Sequence, residues 1–168
     1  SRFGNENTKV GVAGDSAGGH LAALVTHHLH GRLYYQILIY AWLYLGNDLD
    51  SYKEFNKECH VLVPEMLDFF IDSFVVDKSQ ILSPELSPLM NSAESFKRQP
   101  RTLIIAAELD PFESENRLYH EKLVSNGVDS MHILVKGVPH GFLYPLIMKQ
   151  SCAETVGHLN ALFKSLQC

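Results

Sequence analysis

The residues best suited to chemistry lie near the start of the chain, in Gly14-Asp15-Ser16-Ala17-Gly18, a G-x-S-x-G pattern. A serine hydroxyl is a weak nucleophile unless a base takes its proton and a third group orients that base. The pattern supplies the geometry for such a serine. It predicts a turn so sharp that the serine backbone is strained, with glycine at 14 and 18 because side chains there would collide with neighbouring elements. The hydroxyl is then pushed out at the start of a helix, where free amides and the helix dipole favour a developing negative charge. The Ala17 amide is the donor closest to that charge. A phosphate-cradling loop is disfavoured, because Gly11, Gly14 and Gly18 do not fit G-x-G-x-x-G and no Gly-Lys-Ser/Thr follows.

The chain has 9 histidines from which to draw a base. His140, in Val138-Pro139-His140-Gly141-Phe142, directly follows a predicted strand and has a glycine beside it that lets a substrate approach. His27, His28 and His30 crowd one helix end, without the carboxylate or cysteine support a metal would want. His60, His120, His132 and His158 fall inside elements with nothing to mark them. For the acid, Asp110 ends a predicted strand in Glu108-Leu109-Asp110-Pro111; taken alone it reads as a helix N-cap before a first-turn proline. Its placement says more. Ser16, Asp110 and His140 each follow a separate predicted strand, which assigns them as nucleophile, acid and base. This chemistry calls for no metal and no cofactor.

The elements that must position these residues alternate. A β-branched run at 9–13 is followed by a helix at 18–30 with Leu21, Leu24, Val25 and Leu29 on one face, closed by Gly31. An apolar run at 35–45 suits a strand buried on both faces. Residues 46–99 read as a helical and loop excursion, of a length that builds a lid or a pocket wall. There Pro64 opens a helix carrying Leu67, Phe70, Ile71 and Phe74, and a proline-punctuated stretch runs from 83 to 88. Strands at 102–107 and 131–135 follow, separated by a helix that starts at Asp110-Pro111 and stops at Asn126-Gly127. A final helix carries Val156, Leu159, Phe163 and Leu166 on one stripe. The pattern predicts an α/β fold in a single domain over 1–168, with a mostly parallel sheet, helices on both faces, and a site at the strands' C-terminal edge.

Composition narrows the partners. The chain has 168 residues, 46% of them hydrophobic, enough to bury a core without a staple of metal or disulfide. A net charge of −5 with scattered Lys and Arg argues against nucleic acid. The longest apolar run, at 37–45, is about half the ~20 residues a membrane span needs. Cys59, Cys152 and Cys168 have no metal-ligand spacing, and their pairing and the compartment stay open.

At larger scale Gly14-Asp15-Ser16-Ala17-Gly18-Gly19-His20-Leu21-Ala22 resembles the elbow of the hormone-sensitive-lipase-like esterases, the group that also contains arylacetamide deacetylases. Ser83-Pro84-Glu85-Leu86-Ser87-Pro88-Leu89, Glu108-Leu109-Asp110-Pro111 and Pro139-His140-Gly141-Phe142 are similar to that family's later segments, and the order Ser…Asp…His is that of α/β-hydrolases. Glu113-Ser114 stands where the family usually has arginine and aspartate, and Ala41 where it commonly has proline. The resemblance implies a serine carboxylic-ester hydrolase acting on short to medium acyl esters, and on aryl amides as a further class. Nothing before Gly14 resembles the family's His-Gly-Gly-Gly loop. The expectation is therefore a partial α/β-hydrolase fold lacking the first strands, with an open edge at the first strand that would leave the chain poorly soluble, self-associating, or in need of a complementing N-terminal fragment. Two alternatives stay open: a catalytically silent fragment serving as a binding or dimerising module, and a truncation product with no stable fold.

Overall fold

The computed structural model describes residues 5, 8–55, 61–144 and 149–165. Cys59, His60, Leu166 and Cys168, and the side chains of Cys152 and Phe163, lie outside what is described.

Among the described residues four strands, β1 (Gly11–Asp15), β2 (Tyr35–Ile39), β3 (Arg101–Leu109) and β4 (Ser130–Pro139), pair in the order β1-β2-β3-β4, each pairing parallel. Helices α1 (Ala17–Leu29), α2 (Asp50–Phe55), α3 (Pro64–Phe74), α4 (Ala93–Lys97), α5 (Glu113–Ser125) and α6 (Lys149–Ser165) connect or flank them, with short 3-10 turns at Lys78–Gln80 and Pro88–Met90. The period-2 alternation of a strand sorts side chains between two layers. Leu38 of β2 and Ile104 of β3 pack with Ala22 and Ala23 of α1 and with Tyr119 and Leu123 of α5. Ile37, Ile39, Leu103, Ile105 and Ala107 point the other way, toward Val135, Phe142 and Leu159 of α6. The sheet is thus parallel with helices on both faces. Among the described residues no helix is long and apolar enough to cross a membrane.

Three sequence-based expectations need correction. The strand expected over 35–45 stops at Ile39, because Tyr40 takes a left-handed backbone with φ 35. Ala41 to Leu45 form a largely buried loop, several of whose amides are satisfied by distant side chains: Ala41 N–H donates to Asn116 Oδ1 at 3.2 Å and Leu45 N–H to Ser87 Oγ at 2.9 Å. On α1 the leucine stripe is not the core face: Leu21 is 55% exposed, while Ala22, Ala23, Thr26 and His27 are buried. The reason is closeness, since a Cβ on Gly19 would stand 2.5 Å from Ala41 Cβ, and only small side chains fit facing the sheet there. On α6, Val156 is exposed and it is Thr155 that is buried, with Leu159 one turn on.

Candidate active site

Each of the three singled-out residues is the first after a strand: Ser16 after β1, Asp110 after β3 and His140 after β4. Parallel pairing puts these strand ends on one edge of the sheet, so residues far apart in the chain meet there. At Ser16 the backbone adopts φ 52 and ψ −123, a left-handed region that a non-glycine residue occupies at a cost of order 1–3 kcal/mol. The surroundings hold it there. Ser16 N–H donates to Ile39 O at 2.9 Å, and Ser16 O accepts from His20 N–H at 3.1 Å and Trp42 N–H at 3.3 Å.

The glycines around the serine are not equivalent. A Cβ at Gly14 would lie 2.2 Å from Gly18 O, so the turn admits no side chain there. Gly18 corrects the sequence reading, because a Cβ there meets nothing nearer than Asp15 Oδ1 at 3.9 Å. The steric demand ascribed to Gly18 falls instead on Gly19, which faces Ala41.

His140 Nε2 lies 2.8 Å from Ser16 Oγ, and His140 Nδ1 lies 2.7 Å from Asp110 Oδ2. A carboxylate only accepts, so Nδ1 carries the proton and the Nε2 lone pair receives the Ser16 hydroxyl. Asp110 is fully buried; its Oδ1 accepts from Phe112 N–H at 2.9 Å, so one carboxylate both shapes the turn into α5 and orients the imidazole. Tyr40 and Phe112 flank the His140 ring edge-to-face, with centroids at 4.9 and 5.2 Å. Just before His140 the β3–β4 register shifts: Ala107 pairs with Val135 but Leu109 with Pro139. Glu108 clamps this bulge, accepting from Lys136 Nζ and Gly137 N–H, each at 2.7 Å.

Sequence reasoning missed the residues that hold the loop beneath the site. Asn116 brackets Ala41, its Nδ2 donating to Ala41 O at 2.8 Å, and the buried Glu115 accepts from Leu43 N–H. Burial pushes the Glu115 carboxyl well above its ordinary range, and the nearby Asp110 charge pushes the same way; the backbone N–H donors of Leu43 and Tyr44 offset this only partly. At the departure noted from sequence, Ser114 exchanges reciprocal bonds with Ser51: Ser51 N–H to Ser114 Oγ at 3.1 Å and Ser114 N–H to Ser51 Oγ at 2.9 Å. This ties α2 to α5.

Beside Ser16 opens a cavity of about 480 Å³ walled largely by apolar side chains, among them Trp42, Leu67, Phe70 and Phe74. Phe112 stacks on Trp42 at 5.4 Å and 11°. Phe70 and Phe74 of α3 are part of this wall, while Phe69 on the same helix is 65% exposed. His20, also unremarked as a site residue from sequence, lines the cavity one turn after Ser16; its position four residues on was the signal available. A second depression of about 510 Å³ lies at the far end of α1 beside His27, His28 and His30. Among the described residues no group of three or more His, Cys, Asp or Glu is placed to hold a metal.

Known proteins resemble this chain in sequence and in fold. A solved esterase from Pyrobaculum calidifontis is 33% identical with a TM-score of 0.88, the match covering 99% of this chain and 55% of that one. Carboxyl esterase 2 from Tuber melanosporum is 29% identical with a TM-score of 0.89, covering 98% of this chain and 56% of that one. The arylesterase of Saccharolobus solfataricus is 27% identical over 144 residues, 84% of this chain and 46% of its own length. The chain spans about half the length of the curated relatives it matches. A model described as the alpha/beta hydrolase fold matches residues 1–144, and with the parallel sheet already in hand that match makes this chain a member of the alpha/beta hydrolase fold family.

Proposed function

We propose that the chain carries the nucleophile, base and acid of a serine carboxylic-ester hydrolase acting on short to medium acyl esters. The observation that supports this best is the unbroken bonded series from Ser16 Oγ through His140 to Asp110, at 2.8 and 2.7 Å. In this reading Ser16 Oγ attacks the ester carbonyl carbon while His140 Nε2 takes the hydroxyl proton. Asp110 keeps the imidazole in the right tautomer and stabilises the imidazolium that forms. The oxyanion of the tetrahedral intermediate is met by the amide of Ala17, the first residue of α1, where helical N–H groups have no helical partner. Collapse of the intermediate expels the alcohol, which receives the proton from His140 and leaves the acyl group on Ser16. Water, deprotonated by His140, then attacks the acyl carbonyl, and the carboxylic acid departs as Ser16 recovers its proton. The apolar cavity beside Ser16 suits the hydrocarbon part of an ester and gives a charged chain nothing to pair with.

The test is covalent. A fluorophosphonate probe should label Ser16 of the full protein, and 4-nitrophenyl butanoate should be hydrolysed with a burst matched to acyl-enzyme mass. Equal labelling of wild type and Ser16→Ala would remove the serine from its assigned role.

A further inference from the structure

His20 lies one helical turn beyond Ser16, its N–H bonded to Ser16 O at 3.1 Å, and its imidazole forms part of the cavity wall. Only 5% of the residue is exposed. Nδ1 lies 2.8 Å from Trp42 O, and because a carbonyl can only accept, Nδ1 carries the ring proton and Nε2 presents a lone pair. That Nε2 is buried and has no hydrogen-bonding partner among the described residues. Burial also holds the imidazole pKa below 6.5, against the weaker pull of the Trp42 carbonyl, so the ring keeps this neutral form. Native proteins pair nearly all such atoms, and an apolar side chain of similar size would fill the same wall without the exception. The ring standing edge-to-face against the imidazole at 5.8 Å is Phe74, itself 52% exposed and part of the same cavity wall.

We propose that His20 Nε2 accepts a hydrogen bond from the substrate, so that the cavity selects esters whose chain carries a hydroxyl at one position along it. The inference rests on the ester-hydrolase reading of Ser16. It makes His20 a specificity determinant with no part in proton transfer at Ser16.

The Ser16→Ala form of the full protein binds esters without cleaving them, and so separates selection from turnover. Calorimetry would compare 4-nitrophenyl esters bearing a hydroxyl stepped along the acyl chain with their methyl ethers, which cannot donate. At one position the hydroxyl should bind about tenfold tighter than its ether, the effect of one buried hydrogen bond. Adding His20→Asn keeps a donor for the Trp42 carbonyl but leaves no atom in place of Nε2, and the ratio should fall to about one. In the protein with His20 intact, the ¹⁵N resonance of Nε2 should move upfield with the hydroxyl ligand and stay put with the ether. A ratio near one at every position, or one that survives His20→Asn, overturns the proposal. Should the Asn variant fail to fold by circular dichroism, an unmoved Nε2 resonance overturns it alone. Failure of the hydrolase reading shows elsewhere, as an unlabelled Ser16 and an uncleaved unsubstituted ester in wild type.

Discussion

A Cβ placed on Gly14 would stand 2.2 Å from the carbonyl oxygen of Gly18, yet a Cβ on Gly18 meets no atom closer than 3.9 Å. The two outer glycines of the G-x-S-x-G pattern therefore answer to different constraints. Gly14→Ala must push backbone against backbone at the turn, and should cost more than about 2 kcal/mol. Gly18→Ala adds a methyl group in open space near the start of α1, and should raise stability by about 0.5–1 kcal/mol through helix propensity. Urea unfolding of the two variants checks this, and equal losses would contradict it.

Asp110 performs two tasks with its two oxygens, so an isosteric change can separate them. Asp110→Asn keeps an oxygen for Phe112 N–H but turns an amide NH₂ toward His140 Nδ1, which forces the wrong tautomer. We expect kcat to fall by about 10⁴ with little change in KM or in the far-ultraviolet circular dichroism spectrum. A loss under tenfold would reassign the acid.

The pH dependence of stability carries a signature of Glu115. Its carboxyl is held well above 4.5 in the folded protein, so the folded state holds this proton more tightly than the unfolded chain does. Its contribution is complete below the unfolded value and is lost as pH rises through the folded one. Glu115→Gln keeps an acceptor for the Leu43 and Tyr44 amides and abolishes the titration. Wild type should lose stability relative to this variant as pH rises above the ordinary carboxylate range in urea-unfolding series. Parallel curves would mean the carboxyl is ionised throughout.

His27 behaves in the opposite sense. Its Nε2 lies 2.8 Å from Tyr119 Oη and its Nδ1 accepts from Gln99 Nε2 at 3.0 Å. Burial first, and the neighbouring His30 second, bring its pKa from 6.5 to about 4. The unfolded chain then takes up a proton that the folded one refuses, and stability is lost as pH falls from about 6.5 toward 4. The loss should reach roughly 3 kcal/mol. His27→Gln should show a shallower decline over the same window, read by thermal unfolding at fixed ionic strength.

What could be read from the chain beforehand follows a physical division. The parallel sheet and the placing of Ser16, Asp110 and His140 at strand ends are local matters, because strand, turn and helix signals sit beside each residue. The burial of Ala41 to Leu45 was not local. Those apolar residues look like strand until Asn116, Glu115 and Ser87 arrive from elsewhere to take their amides. The choice between Gly18 and Gly19 likewise depends on how close α1 lies to Ala41, a tertiary distance that no five-residue pattern encodes. His20 was hidden by its company, since eight other histidines and a motif already accounted for gave no reason to single it out.

The shift in register before His140 has a further meaning. Between the pairs Ala107↔Val135 and Leu109↔Pro139, β3 advances two residues while β4 advances four. Regular alternation is broken in this stretch, because Val135 and Val138, three residues apart, both pack into the same core layer while Gly137 between them takes φ 68. The side on which His140 emerges is therefore set by this irregular turn of the backbone rather than by the simple alternation of a strand. The clamp from Glu108 to Lys136 and Gly137 fixes the two residues at its centre.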